Sequence, residues 1–214
     1  MPNVLSVSLV VLLVLLIVGW FAAGTQFNVR RGHKTLEWLQ PGLKLLGEKT
    51  TLRWLGSSVV ELKIANAREP FRRCDVLIVL EPRDVSFLWL LARLRNRRDL
   101  LILRGALHHS PRAEFEVFDP QSWSAQGLEA RLQHRNWDPV TVAPPLVSYA
   151  AGGAPGSEIA ELTSLPGLVR LALRRTEPHF ELHCRLRDIQ AQSAHELIDK
   201  LRAVVPAAAR TARS

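Results

Sequence analysis

The sequence predicts an α+β protein: one N-terminal transmembrane helix followed by a mainly antiparallel sheet domain with helices packed on one face. Three features carry this reading. Val4 to Ala23 is an uncharged run in which fourteen of twenty residues are Val, Leu, Ile or Phe. Between Thr50 and Leu186 apolar and polar residues repeatedly alternate, as they do in strands with one covered face. Elsewhere apolar residues recur at spacings of three and four, the pattern of helices that bury one stripe.

The apolar run sets the location. As a helix it reaches about 30 Å, the thickness of a bilayer's hydrocarbon core. Its strongly apolar residues contribute on the order of −4 to −8 kcal/mol to insertion. Residues 1–26 are therefore expected to anchor the chain, with the lipid bilayer as partner of residues 4–23. Arg30, Arg31 and Lys34 follow the run, whereas only Met1, Pro2 and Asn3 precede it. The bias of Lys and Arg towards the cytoplasmic side predicts a cytoplasmic C-terminal domain. A cleaved secretory signal ending at Ala22, Ala23 and Gly24 is the competing reading. It is opposed by the lack of Lys or Arg before the run and by a length beyond the ~7 to 15 residues of a signal's apolar region. Trp20, Phe21 and Trp38 are the aromatic side chains expected at the membrane interface, with Arg30, Arg31 and Lys34 near the headgroups.

Residues 27–47 read as a juxtamembrane amphipathic segment. Gly24 to Arg31 is expected to be a polar connector. Beyond it, Leu36, Leu39, Leu43 and Leu46 share one helix face, and Pro41 and Gly42 are expected to kink or divide that helix. The face suits either a membrane surface or the core of the domain.

Residues 48–149 form the first part of the α+β domain. Leu52 and Trp54 alternate with Arg53, Gly56 to Ser58 turn the chain, and Val60, Leu62 and Ile64 return, which predicts a hairpin. Val76 to Leu80 is continuously apolar and is expected at the centre of the sheet. Asp84 is the expected cap of a helix reaching Arg97, with Phe87, Leu88, Leu91 and Leu94 on one side. Strands are expected at Leu100 to Leu103 and around Phe115 and Val117. A shorter helix from Ser122 to Gln133 turns Leu128 and Leu132 inward, and Trp137 to Val147 reads as extended.

Residues 150–156, AAGGAPG, predict a flexible connection. Residues 157–205 then form a hairpin and a helix as a second part. Val169, Leu171 and Leu173 make one strand, and Phe180, Leu182, Cys184 and Leu186 return on one face. Ser193 and Glu196 match a capping box, and Leu197, Ile198, Leu201 and Val205 follow as the buried stripe of the helix. Residues 206–214 are small and basic, and are expected to be a disordered tail.

The formal charge is +8, and 24 of the 28 Lys and Arg residues follow Gly47. Anionic lipid headgroups or another membrane protein are the partners this predicts. Nucleic acid is the lesser alternative, since no basic strand face carries stacking aromatics. Arg93, Arg95, Arg97 and Arg98 are the candidate polyanion contacts. Cys74 and Cys184 lie inside apolar or alternating runs, which suits buried free thiols in a reducing compartment.

No G-x-S-x-G elbow, H-E-x-x-H helix, paired C-x-x-C, Walker A or dinucleotide glycine fingerprint occurs, so no cofactor is predicted. His179, Glu181 and His183 alternate in HFELH and would share one strand face about 6.5 to 7 Å apart, which makes them the candidates for a metal or a catalytic role. That face is nevertheless expected to be solvated. The sequence thus favours a non-catalytic docking or scaffolding module at the membrane over a membrane-tethered enzyme.

Overall fold

The computed structural model of this protein describes residues 4–153 and 158–210 and begins with α1, Val4–Leu46, one uninterrupted helix. At 43 residues it is about 64 Å long. From Ser6 to Ala23 every side chain is exposed, and the helix is long and apolar enough to cross a membrane. From Gly24 onward one stripe is buried, formed by Gly24, Asn28, Gly32, Thr35, Leu39, Gly42 and Leu46. These positions recur at three or four residues, which is one helix face. Gly24 and Gly42 permit close backbone approach: a Cβ there would stand 2.2 Å from the Arg83 carbonyl oxygen and 2.6 Å from that of Ala194.

Two expectations are corrected by α1. The polar connector from Gly24 to Arg31 is helical, because Gly24 and Asn28 pack against the domain. Pro41 and Gly42 do not divide the helix either. Pro41 lies on the exposed side, where losing one backbone donor is tolerated. Leu39 and Leu46 enter the core with Leu36 and Leu43 packed against it, so this stripe faces protein and not bilayer.

Among the described residues nine strands form one antiparallel sheet. They are β1 Thr50–Leu55, β2 Val59–Ile64, β3 Phe71–Val79, β4 Leu100–Leu107, β5 Glu114–Phe118, β6 Asp138–Val140, β7 Val147–Ala151, β8 Leu168–Leu173 and β9 Phe180–Arg185. Their spatial order is β1-β2-β3-β4-β9-β8-β5-β7-β6. The helices are α2 Ser86–Leu94, α3 Leu128–His134, α4 Glu158–Thr163, α5 Leu186–Ile189 and α6 Ala194–Arg210. One face of the sheet carries Val76, Leu103, Leu182, Leu171 and Val117 in register, and α1, α4 and α6 cover it to close the main core. On the other face α3 covers only the β5 and β7 side, packing Leu128 and Leu132 on Phe118 and Tyr149.

The centre of the sheet is β9, not the Val76 to Leu80 segment, which lies in and just beyond β3. Continuous apolarity there reports two covered faces: Val76 and Ile78 enter the main core, while Leu77 packs with Ile102 on the second face. Residues 157–205 complete the sheet begun earlier, since β8 and β9 lie between β4 and β5. Within the expected flexible connection, Ala150 and Ala151 end β7 and Gly152 and Gly153 turn at positive φ; residues 154–157 lie outside the described residues. The expected disordered tail is helical as far as Arg210, because Val205 and Ala208 are buried in the core. Residues 211–214 lie outside the described residues. The capping box is present: Glu196 N–H donates to Ser193 Oγ at 3.1 Å, and Ser193 N–H donates to Glu196 Oε2 at 3.2 Å.

Candidate functional site

Where α1 leaves its fully exposed stretch, it is latched to the end of β3 and the loop beyond. Asp99 is the hub. Its carboxylate accepts two hydrogen bonds from Arg83 at 3.0 and 3.1 Å and one from the Glu81 N–H at 2.8 Å, with Arg31 of α1 at 3.7 Å. Asn28 of α1 donates to the Glu81 carbonyl at 3.0 Å and to the Ser58 hydroxyl at 3.1 Å, and accepts from Arg83 at 3.2 Å. Asn28 and Glu81 are buried. Charge-assisted bonds of this kind are about twice as strong as neutral ones, and a half-satisfied set would be costly.

The same latch holds α2. Glu81 accepts the Trp89 indole N–H at 2.8 Å, and the Trp20 indole N–H donates to the Arg83 carbonyl at 3.0 Å. The Trp20 and Trp89 rings are 6.0 Å apart. The helix starts at Ser86 without a side-chain cap. Asp84, the expected cap, accepts instead from Ser57 Oγ at 2.7 Å, which ties the β1–β2 turn to this loop.

The sequence-derived interface residues separate along the straight helix. Trp20 and Phe21 sit at the end of the exposed stretch. Arg30 and Lys34 are exposed, and Arg31 turns towards Asp99. Trp38 is corrected. An uninterrupted helix carries it about 27 Å beyond Trp20, where its indole donates to the Gln192 carbonyl at 3.0 Å. Among the candidate polyanion contacts, Arg93 and Arg95 are exposed. Arg97 lies over the Trp123 ring at 4.8 Å, and Arg98 donates to the Arg97 carbonyl at 3.0 Å, so these two fold back onto the protein.

A second cluster crosses β4, β9, β8 and β5 on the sheet face opposite the main core. Glu181 accepts from Arg104 and His183 Nε2, each at 3.0 Å, and from Arg174 at 3.4 Å. Glu116 is held by Arg170 and by Arg174, the latter at 3.0 and 3.1 Å. Burial pushes the Glu181 carboxyl up, but the hydrogen bond and charge of His183, with Arg170 and Arg104, outweigh it and bring the pKa down to about 2. A cleft of about 410 Å³ opens beside this row, lined by Arg73, Asp75, Arg104, Arg174, Glu177 and Glu181 among others.

The solvated-face expectation for His179, Glu181 and His183 is therefore corrected: all three are buried. Alternation kept them on one face, and Arg104 and Arg170 of the neighbouring strands stand opposite Glu181 and His183. They do not converge as ligands. His179 Nδ1 accepts the Leu107 N–H at 3.0 Å, and Ser110 Oγ lies 3.3 Å from its Nε2. Glu181 is surrounded by guanidinium groups, which oppose a cation, and among the described residues no group of three His, Cys, Asp or Glu is placed to hold a metal. His183 Nδ1 is buried without a hydrogen-bond partner among the described residues. Cys74 and Cys184 are buried and free.

Sequence reasoning missed the latch. Its one available signal was the spacing of Gly24, Asn28, Gly32 and Thr35, a helical stripe of small and polar residues continuous with the leucine stripe. Comparison with protein families and with curated proteins returned no match to this chain.

Proposed function

We propose that this chain is a single-pass membrane protein whose sheet domain faces the cytoplasm and serves as a docking module without catalysis of its own. In this reading Arg30, Lys34, Arg93 and Arg95 engage anionic headgroups, and the rest of the surface is offered to a protein partner. The observation that carries it is the uninterrupted α1, latched through Asn28, Arg83 and Asp99 where the span ends. Such a connection fixes the orientation of the domain over the bilayer, which serves a presenting surface. A merely tethered enzyme works equally well on a loose linker. The Lys and Arg residues that follow the span support the cytoplasmic orientation.

Two measurements test this. An alkaline phosphatase active only outside the cytoplasm and a fluorescent protein active only inside it are fused in turn to Ser214; fluorescence without phosphatase activity is expected, and the reverse overturns the orientation. Full-length protein in nanodiscs is then treated with trypsin. Cleavage in the Arg95 to Arg98 loop is expected to slow in anionic relative to zwitterionic nanodiscs, and high salt is expected to remove the difference. Equal rates in both would refute headgroup engagement.

A second reading, a membrane-tethered enzyme built on the β8–β9 hairpin, is supported by one observation. Glu181, with its low pKa, lines an open cleft bounded by charges of both signs.

A further inference from the structure

The helix α2 is amphipathic in the wrong sense for a soluble protein. Its buried side is Ala92 with half-buried Trp89, while Phe87, Leu90 and Leu94 are turned outward at spacings of three and four. Phe87 is 71 % and Leu94 76 % exposed, and Leu88, Leu90 and Val85 are exposed as well. An apolar stripe of this size left uncovered marks a contact with something apolar.

The position of α2 says what covers it. Twenty residues of α1, Val4 to Ala23, match the hydrocarbon thickness at about 1.5 Å each, so the bilayer surface falls between Trp20 and Gly24. Trp20 lies beside Trp89 of α2 with ring centroids 6.0 Å apart, and Gly24 meets the Arg83 carbonyl three residues before the helix begins. Around the apolar stripe, Arg93 lies over the Trp89 ring at 5.4 Å and Arg95 closes the helix, both exposed. An apolar face at the level of the acyl chains, rimmed by arginine and tryptophan, is the composition of an interfacial helix.

We infer that α2 is a second membrane-contacting element, lying in the leaflet beside the exit of α1 with Phe87, Leu90 and Leu94 among the acyl chains and Arg93 and Arg95 among the headgroups. This rests on the reading of α1 as a membrane span. It goes beyond a basic docking surface, because the contact is apolar and persists in a neutral bilayer. The Glu81 to Trp89 hydrogen bond holds α2 in this attitude, so the helix is presented to lipid by the folded domain.

The test uses full-length protein in vesicles of phosphatidylcholine with a minority of phosphatidylglycerol. Single cysteines are introduced as Phe87→Cys, Leu90→Cys and Leu94→Cys, with Leu13→Cys in the span and the exposed Ser110→Cys, beyond the end of β4 away from α2, as references. Each is labelled with a small environment-sensitive fluorophore. Cys74 and Cys184 stay unlabelled in the folded protein, since both are fully buried and burial pushes their thiols up. The expected result is several-fold weaker quenching by aqueous iodide at positions 87, 90 and 94 than at 110. Lipids carrying a nitroxide on the acyl chain should quench those three as they quench position 13. Iodide access at 87, 90 and 94 with position 13 still lipid-quenched overturns the inference and leaves the span intact. Shielding from both quenchers also overturns it, since a second copy or a partner protein then covers α2. Loss of lipid quenching at position 13 as well overturns the membrane reading of α1 on which the inference rests.

Discussion

Replacing Glu181 with Gln should cost about 3 kcal/mol at neutral pH and progressively less in acid. The carboxyl stands between Arg104 and His183 Nε2, each at 3.0 Å, with Arg174 at 3.4 Å. Burial alone would raise its pKa, but the hydrogen bond and charge of His183, with Arg170 and Arg104, bring it from the ordinary 4.5 to about 2. The gap between the two values is worth roughly 3 kcal/mol of pH-dependent stability. The folded-state value is the lower one. The stabilisation is therefore complete above 4.5 and disappears as pH falls through about 2. Gln preserves the shape and an acceptor oxygen but carries no charge, so it should remove that slope. The assay is urea unfolding of the full-length protein in nonionic detergent, followed by tryptophan fluorescence, from neutral pH into acid. Parallel loss of stability by wild type and E181Q between pH 4.5 and about 2 would refute the reasoning. Two neighbours calibrate it: His183→Ala removes one donor and leaves Glu181 its arginines, costing about 1 to 3 kcal/mol. Leu182→Ala opens the main core for about 2 to 5 kcal/mol.

Gly24→Val should loosen the latch, because its Cβ would stand 2.2 Å from the Arg83 carbonyl oxygen and backbone on both sides must shift; a loss of about 1 to 3 kcal/mol is expected. The same urea assay checks it, with Gly19→Val as control, since nothing lies within 4 Å of that position. Ser193→Ala removes the side-chain acceptor for the Glu196 N–H and should cost about 1 kcal/mol. An unchanged unfolding midpoint would show that α6 is held by packing alone.

What the sequence revealed depended on how local the cause was. Strand alternation, the hairpin at Gly56 to Ser58 and the capping box at Ser193 and Glu196 are set by neighbours a few residues apart, and each is present. The path of α1 was misjudged because Gly24, Gly32 and Gly42 favour breaks in an isolated helix, yet here they meet Arg83, Trp54 and Ala194, each distant in the sequence. Position in the sheet was equally hidden: β9 is central because β8 and β9 insert between β4 and β5, an order that no local pattern encodes. The histidine hairpin shows the same limit. Alternation placed His179, Glu181 and His183 on one face, but what lies against them comes from elsewhere: Arg104 and Arg170 on two other strands stand opposite Glu181 and His183, and Leu107 and Ser110 meet His179.

The long helix and the latch belong to one mechanical argument. A single span fixes the height of a domain above the bilayer but leaves rotation about the span axis free, and a span in a bilayer tilts by about 20° on average. In this chain the domain cannot swivel on α1, because Asn28, Gly32, Thr35, Leu39 and Leu46 are buried along one face of it. Rotation of the domain is then rotation of the whole helix. The inferred lipid contact at α2, offset from the α1 axis and held through Glu81 and Trp89, would remove that freedom too. In the proposed arrangement, two points of contact would define which edge of the sheet faces the lipid. The cleft beside Glu181 opens on the sheet face opposite α1, so in the proposed arrangement it would be turned in one direction, along the membrane plane.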